Sequence, residues 1–369
     1  MLRNRKSEVK TGSTYRFFFA YVKLGIFRIM APQIGPSVDD FNNGDTKITE
    51  KHLLVSQEYK SIFGTFKTKL KWVNIISITF IHVLTVWSFI MYPYLERKRL
   101  LFYSIVLGHF TGFGVTGGAH RYWAHKSFKA KLPLKVFLMF CYTLAAQNTI
   151  YEWVRDHRVH HRYTETEADP HNSKRGFFFS HVGWLMMKKT PEVVKRGREI
   201  DMSDITSDPV VQIHLKYFVP LKLLIAFIIP TCIPPLVWGE SWFWSFIAVS
   251  VARYVLSLNI TWSVNSFAHI FGHKPYDKNI KPTENLFVSI AALGEGWHNF
   301  HHTFPWDYKC AELYFINATA LWIELFAKIG WAYDLKRASK QLIETVALKR
   351  GDGSRHQHTE FNEKGEEIH

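Results

Sequence analysis

Four long stretches of this chain are nearly free of charge, and they come as two pairs. Residues 72–94 contain no Asp, Glu, Lys or Arg. At about 1.5 Å of rise per helical residue, such a run crosses the roughly 30 Å of hydrocarbon in a bilayer. The charged turn Leu95-Glu96-Arg97-Lys98-Arg99 leads to a second run, residues 100–118, with glycines at Gly108, Gly112, Gly114, Gly117 and Gly118 that permit close approach by another helix or a ligand chain. Residues 220–238 and 242–264 form the second pair, around Gly239-Glu240-Ser241. Pro230, Pro234 and Pro235 are expected to kink the third run. Arg253, deep in the fourth, needs a polar partner or a route to water. The expected fold is an all-α integral membrane protein with four transmembrane helices.

The formal net charge of +15 fits either a nucleic-acid surface or a membrane face that meets anionic headgroups and an anionic substrate. The apolar runs favour the second, so no nucleic-acid partner is expected. Lys and Arg gather before residue 72, between 120 and 217, and after 265, and the positive-inside rule assigns those segments to the cytosol. Arg97-Lys98-Arg99 is a local counter-signal that the larger imbalance outweighs. The chain divides into a cytosolic N-terminal arm (1–70), a membrane domain (71–340) and a cytosolic C-terminal tail (341–369). Within the arm, Met30-Ala31-Pro32-Gln33 reads as an alternative start. Residues 134–150 are apolar but carry Lys135, Gln147 and Asn148, as an interfacial or buried helix would. Cys141, Cys232 and Cys310 are far apart and form no CxxC, so any metal site must rely on histidine.

Histidine is grouped. His298, His301 and His302 follow an i, i+3, i+4 spacing, and His157, His160 and His161 repeat it. Residues so spaced share one helical face, and their imidazoles are expected to converge on a common point. His120 and His125 form a third group; five positions apart, they would lie about 140° apart on an ideal helix, so the helix must end or distort there, next to the glycines. Eight imidazoles are more than one ion needs and suit two, each with an open position. Zinc and copper compete by affinity alone, and a bracing zinc site is the bland alternative. Imidazole ligands without thiolate at a membrane surface favour iron and oxygen chemistry. The tail histidines His356, His358 and His369 are expected to be solvated.

His120-Arg121-Tyr122-Trp123-Ala124-His125, His157-Arg158-Val159-His160-His161 and His298-Asn299-Phe300-His301-His302 resemble the three histidine boxes of the membrane acyl-CoA desaturases, the stearoyl-CoA desaturase family, with an insect-like flavour. The likeness extends to Glu165-Thr166-Glu167-Ala168-Asp169-Pro170-His171-Asn172, to residues 175–184 and to Phe304-Pro305-Trp306-Asp307-Tyr308, and covers roughly residues 60–340. Trp297 and Phe300 depart from the Phe and Tyr common there. The resemblance implies a cytosolic helical cap holding two iron ions (Fe2+), with His269 as a ninth ligand and Asn265 acting through a water, both in Asn265-Ser266-Phe267-Ala268-His269. His171 and His181 are expected to be supporting residues, and His273 fits no ligand position.

It also implies an oxidoreductase that uses O2 and electrons from cytochrome b5 and its NADH-dependent reductase. The reaction removes two hydrogens from adjacent methylenes of a long-chain acyl-CoA, leaving a cis double bond at delta-9 or at another insect position such as delta-11. The chain carries no dinucleotide fingerprint of its own, and its basic face suits an acidic electron carrier. The location implied is the endoplasmic reticulum membrane, with termini and active site cytosolic. Coenzyme A is expected near Asn148, Arg155, Asp156, Lys188, Lys189 and Asn74, with Lys188-Lys189 replacing the more usual Arg-Lys. Gln147, Trp153, Thr261 and Trp262 match the bend of an acyl tunnel, and Gly108 and Gly112 match its far end, where small residues admit a long chain. The rival readings are a hydroxylase or conjugase on the same scaffold, and a membrane metal carrier, which would need ligands inside the spans.

Overall fold

The computed structural model describes residues 59–61, 64–66, 68–312 and 316–357. The arm up to residue 58, with the alternative start at Met30, and the tail histidines His358 and His369 lie outside these residues. The principal helices are α1 (Trp72–Met91), α2 (Lys98–Ala124), α3 (Leu132–Leu144), α4 (Ile150–Tyr163), α5 (Pro191–Glu199), α6 (Pro209–Lys216), α7 (Phe218–Trp238), α8 (Trp242–Ile270), α9 (Leu286–Ala291), α10 (His298–Thr303), α11 (Ala318–Lys328) and α12 (Lys340–Arg350). Strand among the described residues is confined to two short antiparallel pairs, Tyr59–Ser61 with Gly64–Phe66 and Lys129–Ala130 with Ala332–Tyr333.

Helices α1, α2, α7 and α8 are long and apolar enough to cross a membrane. Helix α1 shows why they pack as they do. Asn74, Ser77, Ile81, Thr85 and Ser88, spaced three or four apart, face inward, while Ile76, Val83 and Ile90 face outward. This reverses the pattern of a soluble helix: lipid solvates the large apolar side chains, and small or polar ones let helices approach and hydrogen-bond. The helix stops at Met91 because Pro93 pushes Tyr92 into extended backbone (φ −107°, ψ 127°).

Two spans run beyond their expected ends. Helix α2 continues past residue 118 to Ala124, and α8 past residue 264 to Ile270. Hydropathy falls there because His120, Arg121 and His269 are polar, but the backbone stays helical because those side chains find partners inside the protein. The apolar stretch read as residues 134–150 is instead a helix ending at Leu144, a turn with Ala146 at φ 52°, and the start of α4. Thr149 and Glu152 form the capping box that begins α4.

The hydrogen bonds of Arg253 run to backbone and hydroxyl oxygens rather than to a carboxylate. Its Nε donates to Val249 O at 2.7 Å, Nη1 to Thr111 Oγ1 at 2.9 Å and Leu144 O at 3.1 Å, and Nη2 to Ala226 O at 2.9 Å. Ala226 O is the carbonyl that Pro230, lacking an N–H, cannot serve four residues on. One guanidinium thus ties α2, α7, α8 and the end of α3 together.

The remaining helices cap one end of the bundle. Lys71 N donates to Met186 O at 2.7 Å, joining the start of α1 to the cap. Helix α12, in the segment assigned to the tail, buries Ile343 and Ala347 against Tyr276, Phe300 and Phe304, and so backs α10.

Candidate metal centre

Where the spans meet the cap, nine imidazoles converge in two groups. His120, His125, His157, His161 and His301 form one; His160, His269, His298 and His302 form the other, and the ligand-type atoms within each lie within 4.8 Å of one another. The HxxHH stretches therefore do not each converge on one point. On α4, His157 and His161 join the first group and His160 the second; on α10, His301 joins the first and His298 and His302 the second. Neighbours such as His160 and His161 are about 100° apart around the helix axis, so they cannot face one ion, whereas residues four apart can. Each HxxHH helix supplies a pair to one group and a single ligand to the other.

His120 and His125 reach the same group because the end of α2, Gly114–Ala124, is π-helical. His125 N donates to His120 O at 3.1 Å, an i→i+5 bond, and this widened turn brings residues five apart onto one side. Gly114 is required there: a Cβ would sit 2.2 Å from the backbone of Cys141 and Tyr142.

Several ring nitrogens face each other, and three of the rings are oriented by carboxylates. His120 Nδ1 lies 2.7 Å from Glu295 Oε2, His160 Nδ1 2.8 Å from Asp169 Oδ1, and His269 Nδ1 2.9 Å from Glu165 Oε1. A carboxylate at Nδ1 fixes the proton there and leaves Nε2 a bare lone pair. His160 Nε2 is buried without a hydrogen-bond partner. His120 Nε2 and His161 Nε2 lie 2.9 and 3.0 Å from His301 Nε2, and His269 Nε2 and His302 Nε2 lie 3.0 and 3.1 Å from His298 Nε2. Imidazole nitrogens about 2.1 Å from a common ion are about 3.0 Å apart at right angles but about 3.4 Å apart in a tetrahedron. The five-membered group also exceeds the four ligands of a closed zinc site. The donor set, five imidazoles in one group and four in the other, fits two cations, and the group of five speaks against a closed four-ligand zinc site there.

Burial, and then the neighbouring imidazoles, hold His125, His157, His161, His298, His301 and His302 well below the usual histidine range. They are neutral, which is the ligating form. Burial raises the Glu295 carboxyl, but Arg121 and His120 overcome it and hold it at about 2. Asp169 is held down against burial by His160.

An apolar cavity of about 1160 Å³ starts at His120, His157, His160 and His298 and runs between α2 and α8 to Tyr92 and Glu96 at the α1–α2 turn. A smaller one of about 100 Å³ leads from His157 to Asn74, Asn148 and Asp156. Trp153, Thr261 and Asn265 line both. At this junction Trp153 Nε1 donates to Gln147 Oε1 and Gln147 Nε2 to Thr261 Oγ1, each at 3.0 Å.

The model for the fatty acid desaturase family matches residues 99–332. The chain belongs to the fatty acid desaturase family. An acyl-CoA delta-9 desaturase of Acheta domesticus is 49% identical over 78% of this chain and 81% of the relative. An acyl-CoA delta-11 desaturase of Trichoplusia ni is 49% identical over 78% and 83%. An (11Z)-hexadec-11-enoyl-CoA conjugase of Bombyx mori is 43% identical over 86% and 97%.

In this desaturase Trp262 and Gln147 line the smaller cavity beside Asn74, whose Nδ2 donates to Leu185 O at 2.8 Å. Asp156 is buried between Arg155, with its Nη2 at 3.1 Å, and Lys189. Lys189 and then Arg155 overcome burial and hold Asp156 at about 2. Lys188 is exposed next to them. Gly108 and Gly112 line the larger cavity but are not equivalent. A Cβ at Gly108 meets nothing within 4 Å; one at Gly112 would lie 2.8 Å from Leu293 Cδ1, so Gly112 makes room for Leu293 rather than only for a chain. His171, His181 and His273 stand outside the two large groups. His181 bridges to Ser266 Oγ and Asn259 Oδ1 at 2.9 and 3.1 Å.

Sequence reasoning missed the three carboxylates that orient the imidazoles. A signal was present: Glu165 and Asp169 follow His161 closely, and Glu295 precedes His298 by three residues. Their burial is what marks them, and that is tertiary.

Proposed function

We propose that this chain is an acyl-CoA desaturase in which the two histidine groups hold two iron ions. The observation that carries the reading is the placement of both groups at the inner end of a long apolar cavity, with a polar, basic rim on the other side. When bound, the iron ions supply the O2 chemistry that breaking unactivated C–H bonds requires. The balance is one acyl chain, O2, two electrons and two protons giving one alkene and two waters. The electrons come from cytochrome b5 and its reductase, which a basic cytosolic face suits, in the endoplasmic reticulum membrane with both termini cytosolic.

The residues position the chain. Arg155, Lys188 and Lys189 meet coenzyme A phosphates at the rim, with Asp156 holding two of these cations in place, and Asn74 and Asn148 line the way in. The Gln147–Trp153–Thr261 bonds fix the bend, with Trp262 as its wall, so that one methylene pair faces the metals; this is orientation, the main contribution a protein makes to regioselectivity. Asn265, at the junction of both cavities, is placed to hold a water beside the second histidine group. The site accepts a long acyl chain, with delta-9 or delta-11 set by the distance from rim to bend.

Expression in a yeast lacking its own desaturase, with double bonds located by mass spectrometry, tests the reading: a new, O2-dependent cis monoene is expected, and its absence from correctly inserted protein would sink it. A conjugated diene made from a supplied monoene would favour the second reading, which the Bombyx mori relative motivates. The unequal glycines give a sharper expectation. Gly108→Phe fills open space in the cavity, so the ratio of C18 to C14 products is expected to fall about tenfold or more, because rejecting each methylene is worth about 1–3 kcal/mol. An unchanged ratio would remove Gly108 from the chain-length determinants.

A further inference from the structure

The larger cavity is not sealed by protein. Seven of its lining residues are exposed apolar side chains: Ile105 is 60% exposed, Leu256 47% and Ile260 36% on spans α2 and α8, Phe89, Ile90 and Met91 lie at the end of span α1, and Leu95 lies in the α1–α2 turn. Ile105 lies on α2, and Leu256 and Ile260 on α8. Between them Gly108 presents no side chain, with nothing within 4 Å of where its Cβ would be. The two helices are joined at the Arg253–Thr111 contact, 2.9 Å long, which fixes their spacing at that level. The inner wall of the same cavity is His120, His157, His160 and His298. One continuous apolar space therefore links the metal groups to the surface that lipid covers.

We infer that this opening between α2 and α8 is a lateral mouth to the bilayer, occupied by the distal part of the substrate's acyl chain. This rests on the desaturase reading and names a property of its substrates. An alkyl chain loses no hydrophobic stabilisation in passing from the cavity to lipid, because both environments are apolar. The far end of the chain consequently emerges among lipid tails. The site then accepts acyl chains that are very long or carry a bulky apolar terminus, which a closed tunnel would reject by overpacking.

The test uses the full iron-loaded chain with Ile105→Cys, spin-labelled in detergent and then reconstituted into phosphatidylcholine vesicles, because a thiol facing lipid stays protonated and reacts poorly in place. Saturating stearoyl-CoA should lower the accessibility of that label to lipid-soluble O2 about twofold or more, as near-complete occupancy requires, whereas octanoyl-CoA should not. Independently, an acyl-CoA of stearoyl length with a pyrenyl group on its terminal carbon should be desaturated at a kcat/KM within about tenfold of stearoyl-CoA. A label unaffected by stearoyl-CoA, or rejection of the pyrenyl substrate while stearoyl-CoA is turned over, would each overturn the lateral mouth and leave the desaturase reading standing. Failure to turn over stearoyl-CoA itself would remove both.

Discussion

Replacing His301 with Ala is expected to abolish product formation and to lower the metal content per chain, by one ion or more if each histidine group holds one as proposed. His301 is 1% exposed, and its Nε2 lies 2.9 Å from His120 Nε2 and 3.0 Å from His161 Nε2, so it closes two edges of the first histidine group. Removing an outer partner of a metal ligand already costs about 10–100-fold in affinity or activity; removing the ligand itself should exceed that range. The measurement pairs metal analysis of the purified variant with product analysis in cells. His273→Ala is the control, because His273 is exposed and outside both groups. Normal iron content and turnover in His301→Ala would refute the assignment of the first group.

The second large effect is on stability. Arg121 is fully buried; its Nη2 donates to Glu295 Oε1 at 2.8 Å, and Nη1 to Tyr308 O at 2.9 Å and to Asn317 Oδ1 at 3.2 Å. Arg121→Met leaves the Glu295 carboxylate buried with its cationic partner gone, a loss of about 3–5 kcal/mol. The melting temperature of the purified protein in detergent should fall by many degrees. Glu295→Gln in the same background removes the stranded charge and should recover part of the loss, while weakening the hold on His120 and with it iron binding. Equal melting temperatures for Arg121→Met and the parent would show that the network is not what ties α2 to the loop before α10.

These two effects separate what each kind of residue contributes. His301 is visible in the sequence because a metal ligand must be a particular residue type at a particular helical spacing. Arg121 reads as one more basic residue near a membrane surface, and only its complete burial against Glu295 and Asn317 gives it weight. Arg253 is intermediate. Its position in an apolar run announces a need for partners, yet those partners, Thr111, Leu144, Ala226 and Val249, are mostly backbone oxygens that carry no side-chain signature.

The sequence alone determined the four spans, because an uncharged run of about 20 residues has few other stable fates, and its spacing picked out eight of the nine histidines that gather at the site, His269 being added only by the family resemblance. The span ends were less legible: hydropathy stops at polar residues, while the helices of α2 and α8 continue because those residues are satisfied inside. Tertiary structure alone decided which histidine serves which group. That partition follows from the roughly 100° between neighbours on α4 and α10 and from the widened π turn at the end of α2. It also decided which glycine faces open space, and that the cavity meets the lipid surface between α2 and α8, since both depend on how separate helices lie against one another.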